Sequence, residues 1–135
     1  MLADVVTLHL KTKNFRWHMT GLHFRDYHLL LDEQADQLFA MSDVIAERTR
    51  KLGEPTIHSD GEIARLQRLP DSDRERIVPT EMLRILRNDN DQLSSFIRDA
   101  LVMCEHVTDM ATASFLENWI DETKRRSWFF SATLE

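Results

Sequence analysis

The stretch from His28 to Glu47, HLLLDEQADQLFAMSDVIAE, decides the fold, because it is typical of one long helix with two different faces. Apolar residues and one glutamine recur at helical spacing and predict the face that packs into the subunit core. This core stripe is Tyr27, Leu31, Gln34, Leu38, Met41, Ile45 and Leu52. The second face carries one histidine and four acids, with three apolar residues among them: His28, Asp32, Asp36, Asp43 and Glu47, with Ala35, Phe39 and Ala46. This mixture differs from an ordinary solvated face.

The second face carries metal-binding residue types, but one helix cannot bring them to one ion. At about 1.5 Å of rise per residue, His28 and Asp43 lie about 22 Å apart, whereas ligands lie within about 2.6 Å of a metal ion. An antiparallel copy of the helix would place His28 opposite Glu47 of the partner subunit, and Asp32 opposite Asp43 of the partner subunit. The spacing therefore predicts a symmetrical dimer with two shared clusters. The alternative is that these are common charge pairs on a solvated helix.

Composition limits the class of protein. A chain of 135 residues is expected to form a single domain, residues 1–135. Only three Gly and three Pro, with 42% apolar and 30% charged residues, indicate a mostly helical globular protein. The formal charge of −6 argues against a bare nucleic-acid binder. A single cysteine, Cys104, and the lack of a long apolar run predict a soluble, cytoplasmic protein that does not enter a membrane.

Turn residues divide the chain into four long helices and a crossover. The predicted long helices are residues 1–20, 22–52, 80–106 and 109–133, and a short helix at 60–69 lies in the crossover, residues 54–79. Thr108 is predicted to cap the last helix, whose solvated or intersubunit face would be Asp121, Glu122, Lys124, Arg125 and Arg126. One long crossover after the second helix gives an all-α, ferritin-like four-helix bundle.

Several kinds of catalytic site are missing from the sequence. Di-iron carboxylate bundles use Glu-x-x-His on two helices, and no such motif occurs here, which argues against true ferritins and di-iron oxygenases. There is also no phosphate-binding loop, zinc-type cysteine pair or nucleophile elbow. Any chemistry is therefore expected at the second face of the long helix.

Residues 11–53, KTKNFRWHMTGLHFRDYHLLLDEQADQLFAMSDVIAERTRKLG, resemble the signature of the Dps family, the DNA-binding proteins from starved cells. The segment ENWIDETKRRSWFF, residues 117–130, is similar to the last helix of that family. The resemblance implies a hollow homododecamer built from two-fold dimers. It also implies ferroxidase activity, in which iron is oxidised from Fe2+ to Fe3+, preferably by hydrogen peroxide, and stored as ferric mineral. Such a protein would protect against oxidative stress.

The resemblance also implies the site residues. The metal ligands would be His28 and Asp32 of one subunit with Asp43 and Glu47 of its two-fold mate, and Trp17 would lie beside them. One position departs from the family, because Arg16 replaces a histidine ligand. Arginine stays protonated and has no lone pair to offer a metal. We expect Arg16 to bond Glu47 or Asp43 where the metal charge would lie, which would weaken iron binding and oxidation. Alternatively, Arg16 turns to solvent and the remaining four residues still bind iron.

Two further features of the family, the acidic pore and the DNA-binding tail, are weaker or missing in this sequence. Asp109 and Glu117 are candidates for acidic three-fold pores near the start of the last helix, with Ser114 where an aspartate is often found. Many members bind DNA through a lysine-rich tail, but this acidic sequence shows no such tail, so strong DNA binding is not expected.

Two other functions stay open: a structural or nucleoid-associated cage without ferroxidase activity, and a helical dimer whose short first helix prevents cage closure.

Overall fold

The computed structural model describes all 135 residues. Its five helices are α1 (Leu2–His18), α2 (Phe24–Lys51), α3 (Asp60–Leu66), α4 (Pro79–His106) and α5 (Met110–Leu134). Helix α1 packs against α2, α4 packs against α5, and the short α3 lies against α1 within the crossover. The predicted all-α, ferritin-like bundle is therefore confirmed. The short helix ends at Leu66 rather than at residue 69. None of these helices has the length and hydropathy needed to span a bilayer.

The core stripe of α2 is confirmed except at its end. Leu31 and Leu38 are fully buried, and the polar Gln34 is buried with them. Leu52 was predicted to point inward, but it is 54% exposed. Helix α2 ends one residue earlier, and Gly53 then reverses the chain with φ +93, so Leu52 lies beyond the last turn that packs on the core.

The start of α5 differs from the prediction. Thr108 has a left-handed backbone (φ 60), and Asp109 is the capping residue. The Asp109 carboxylate accepts a hydrogen bond from the Thr112 backbone N–H at 3.1 Å and from the Arg48 Nη2 at 3.2 Å. Arg48 Nε also donates to Thr112 Oγ1 at 2.8 Å. The cap thus joins the end of α2 to the start of α5.

Asp109→Ala is expected to lower the midpoint of thermal unfolding by about 3 °C. The substitution leaves the Thr112 N–H and the Arg48 Nη2 without their acceptor, while Arg48 Nε keeps its bond to Thr112 Oγ1. Thermal unfolding followed by circular dichroism would measure the change. Asp121→Ala, at an exposed position inside α5, is the matched control. Equal midpoints for both variants and the unmodified protein would contradict a capping role.

A buried carboxylate attaches the crossover to the start of α1. Asp4 is fully buried and accepts hydrogen bonds from the backbone N–H groups of Arg68 at 2.6 Å and Leu69 at 3.0 Å. The Arg68 side chain adds bonds from Nε at 2.9 Å and from Nη2 at 2.7 Å. Burial opposes ionisation of Asp4, but these bonds hold the pKa of the carboxyl below its usual value.

Charged side chains also enter the interior of the bundle. Lys11 of α1 donates to Asp89 Oδ2 of α4 at 2.7 Å, and both residues are buried. Burial raises the pKa of Asp89, and the bond from Lys11 opposes that rise.

Arg126, predicted on a solvated face, is only 1% exposed, so that prediction is wrong. Its guanidinium finds hydrogen-bond acceptors on other side chains inside the bundle, which a sequence pattern does not reveal.

Candidate metal centre

Two cations of α1 converge on Asp32 of α2. Arg16 Nε lies 2.9 Å from Asp32 Oδ1, and Lys13 Nζ donates to the same oxygen at 3.3 Å. The Arg16 pair is close, but its Nε–H is not directed at an acceptor and makes no hydrogen bond. Lys13 and Arg16 are three residues apart and therefore lie on one side of α1. Asp32, a predicted metal ligand, is thus already paired with two cations of its own subunit.

Within one subunit Arg16 is paired with Asp32. The expected bond from Arg16 to Glu47 or Asp43 needs the two-fold mate, so it stays a prediction. The alternative, in which Arg16 turns to solvent, is not observed, because its side chain is only 23% exposed. Where a long side chain points depends on how α1 crosses α2, so helical periodicity alone could not identify the partner.

His28 lies one turn before Asp32 and is held by the end of α1. Its Nδ1 is 3.3 Å from the Arg16 carbonyl oxygen, and its ring packs 5.0 Å from the Phe24 ring. A carbonyl oxygen only accepts, so Nδ1 carries the proton in this bond. That tautomer leaves the Nε2 lone pair free, which is how metal-binding histidines are commonly oriented.

Asp43 and Glu47 lie on the same face of α2, further along the helix, and both are exposed. No three His, Cys, Asp or Glu side chains of the single chain come together around a possible metal position. The face also exposes apolar side chains, with Leu29 at 53% and Phe39 at 64%. Such side chains on an exposed face are typical of a surface that meets a partner. The four predicted ligands therefore lie as two separate pairs on one helix.

The remaining predicted site residues differ in their exposure and in their contacts. Trp17 is 59% exposed beside Arg16. Asp109 is occupied as the cap of α5, with its pKa lowered by hydrogen bonds from Thr112. Glu117 is exposed further along α5, and Ser114 is exposed near its start. A pore would need copies of these residues from other subunits, so the chain alone does not test that prediction.

Sequence reasoning missed Lys13 as part of this region. The signal was present, since Lys13 precedes Arg16 by three residues and the two share one side of the helix. Together they place two positive charges against Asp32. His28 and Asp32 can contribute an imidazole and a carboxylate to a metal ion, but these two cations would lie beside that carboxylate.

Comparisons with known proteins agree with this architecture. A family model described as a ferritin-like domain matches residues 1–135. An uncharacterised low temperature-induced protein of Nostoc sp. is 32% identical over 99% of this chain and 75% of its own length. The DNA protection during starvation protein 1 of Deinococcus radiodurans is 27% identical over 99% of this chain and 65% of its own length. The X-ray structure of Dps from Thermosynechococcus elongatus superposes with a TM-score of 0.96 at 22% identity, covering 99% of this chain and 85% of that one.

Proposed function

The chain belongs to the ferritin-like domain family, in its Dps group, and on that premise we propose that it is an iron-storage protein that assembles with copies of itself and binds ferrous iron between two-fold-related subunits. The observation that carries the proposal is the division of ligand types along one face of α2. His28 and Asp32 form one half-site, and Asp43 and Glu47 form the other. Each half-site is incomplete without a second copy.

Antiparallel contact between two α2 helices completes the site. Residue numbers that sum to 75 then face each other, which brings Asp43 of the partner subunit to Asp32 and Glu47 of the partner subunit to His28. The same contact would cover the exposed Leu29 and Phe39. One nitrogen and three carboxylate positions suit an iron ion that changes between the ferrous and ferric states. Twelve subunits built from such dimers are the expected assembly.

Oxidation at this site would use hydrogen peroxide as the electron acceptor. Two ferrous ions each give one electron, the O–O bond of the peroxide breaks, and two ferric ions and two hydroxide ions form. The carboxylates favour the ferric product because their negative charges stabilise the higher cation charge. Arg16 and Lys13 both contact Oδ1 of Asp32, so their positive charges would lie beside a metal ion bound to this carboxylate. This repulsion makes the site weaker than one without those cations.

A second function is favoured by the Arg16 contact. If the Arg16 and Asp32 pair persists in the assembly, the region is a charge-paired subunit interface without ferroxidase activity. The protein would then be a structural or nucleoid-associated cage. The two functions differ in whether the assembled protein gains iron when ferrous iron and peroxide are supplied.

Iron loading of the assembled protein tests the proposal. After anaerobic addition of ferrous iron followed by peroxide, we expect ferric iron to co-elute with the assembly in size-exclusion chromatography. Asp43→Asn should weaken ferrous binding by at least about tenfold, because it removes a charged ligand from the site. Asp121→Asn is the matched control, since it removes an exposed acid from another helix. An assembly without co-eluting iron would favour the structural function, and equal binding by both variants would reject this site.

A further inference from the structure

The two oxygens of the Asp32 carboxylate have different surroundings. Arg16 Nε lies 2.9 Å from Oδ1, and Lys13 Nζ donates to Oδ1 at 3.3 Å. The other oxygen, Oδ2, accepts no hydrogen bond within the chain. Both cations of α1 therefore use one oxygen of Asp32 and leave the second oxygen available to a ligand.

Arg16 also holds the histidine that lies beside Asp32. His28 Nδ1 is 3.3 Å from the Arg16 carbonyl oxygen, so Nε2 carries the free lone pair. His28 and Asp32 are four residues apart on α2 and share one side of the helix. The subunit therefore offers one nitrogen and one oxygen to a metal ion, Nε2 of His28 and Oδ2 of Asp32.

The place beside Oδ1 is the one that a second metal ion would need. An ionised carboxylate can accept a cation on each oxygen, and two metal ions that share a site lie about 3.5 to 4 Å apart. Lys13 and Arg16 already contact Oδ1, and neither charged group has a lone pair with which to bind a metal ion. Both side chains are only 23% exposed, so they are packed at this position.

The charges of the proposed cluster support a single ion. Asp32 with Asp43 and Glu47 of the partner subunit would bring three negative charges together. Lys13 and Arg16 bring two positive charges to the same place. One net negative charge is then left for the metal. A first divalent ion reverses that charge, and a second one would enter against a net positive charge.

We infer that Lys13 and Arg16 together occupy one of two cation positions at Asp32, so that each two-fold cluster binds a single divalent metal ion. That ion would lie between His28 Nε2 and Asp32 Oδ2. Lys13 sets the number of ions, because it holds Oδ1 even when position 16 carries an uncharged side chain. This inference rests on the proposed function, since the cluster needs the partner subunit, and it adds the number of ions and a role for Lys13.

Counting bound ions tests the inference. The assembled protein is titrated with Co2+ in the absence of an oxidant, and the ions that are lost when Asp43→Asn is added are counted as cluster ions. We expect about one cluster ion per subunit for the unmodified protein and for Arg16→His, because a two-fold dimer has two clusters. Arg16→His combined with Lys13→Met, which removes the second cation but keeps its aliphatic stem, should bind about two.

Arg16→His combined with Lys13→Arg is the matched control, because position 13 keeps its positive charge, and its count should stay near one. If the Lys13→Met protein does not assemble, Lys13→Gln removes the same charge and should give the same higher count. The inference is overturned if loss of the Lys13 charge adds no ion, or if the unmodified protein or Arg16→His already binds about two. No cluster ion in any of these proteins would instead reject the proposed metal site, and the inference with it.

Discussion

Arg16→His is expected to bind ferrous iron at least about tenfold more tightly than the unmodified protein and to oxidise it faster with peroxide. Arg16 holds a positive charge 2.9 Å from the carboxylate that the iron would need. Two unit charges 4 Å apart interact by about 4 kcal/mol at an effective dielectric constant of about 20, and about 1.4 kcal/mol is already a tenfold change in affinity. The imidazole also adds a nitrogen ligand. Anaerobic calorimetry and stopped-flow oxidation would measure both effects.

Arg16→Gln separates the two causes, because glutamine removes the charge without adding an imidazole. Its ferrous affinity should lie between those of the unmodified protein and Arg16→His. Arg25→His, at an exposed position near the start of α2, is a control for adding a histidine elsewhere. Equal affinities and rates in the unmodified protein and Arg16→His would reject the idea that Arg16 competes with the metal.

Asp4→Ala is expected to lower the free energy of unfolding by about 3 kcal/mol at pH 7, measured by urea denaturation. The substitution leaves two backbone N–H groups of the crossover and the Arg68 side chain without their shared acceptor. Arg68→Ala is the matched comparison and should cost less, because the two backbone bonds to Asp4 can remain. A loss no larger than that of Arg68→Ala would contradict the central role of Asp4.

The Asp4 contribution also has a defined pH dependence. The hydrogen bonds lower the pKa of Asp4 in the folded state, so its stabilisation is fully present above the unfolded pKa, which is about 3.9. Stabilisation is lost as the pH falls through the folded pKa. The difference in unfolding free energy between the unmodified protein and Asp4→Ala should therefore shrink below about pH 4.

Much of the fold could be predicted from the sequence because helical periodicity and turn residues report local structure directly. The core stripe around Leu31 and Leu38 depends only on residue spacing. The burial of Arg126 could not be predicted from residue spacing. A charged residue is assigned to solvent by default, and its burial depends on acceptors from Asn90 on another helix and Thr123 one turn earlier.

The candidate site, like the fold, was predictable only where it depends on residue spacing along one helix. The division of His28 and Asp32 from Asp43 and Glu47 follows from the length of α2, so the sequence alone indicated that one chain is insufficient. The partner of Arg16 was not predictable, because Asp32 meets it through the crossing of two helices. Whether a second copy completes the site remains a prediction.

The ion pair between Lys11 and Asp89 has a consequence for synthesis on the ribosome. The two residues are 78 positions apart, so the ammonium emerges long before its carboxylate. A hairpin of α1 and α2 formed early would have to keep Lys11 in water, because an unpaired ammonium is costly to bury. We therefore expect the nascent hairpin to stay loosely packed at this level until α4 arrives. The N-terminal half of the chain would then reach its close packing only late in translation.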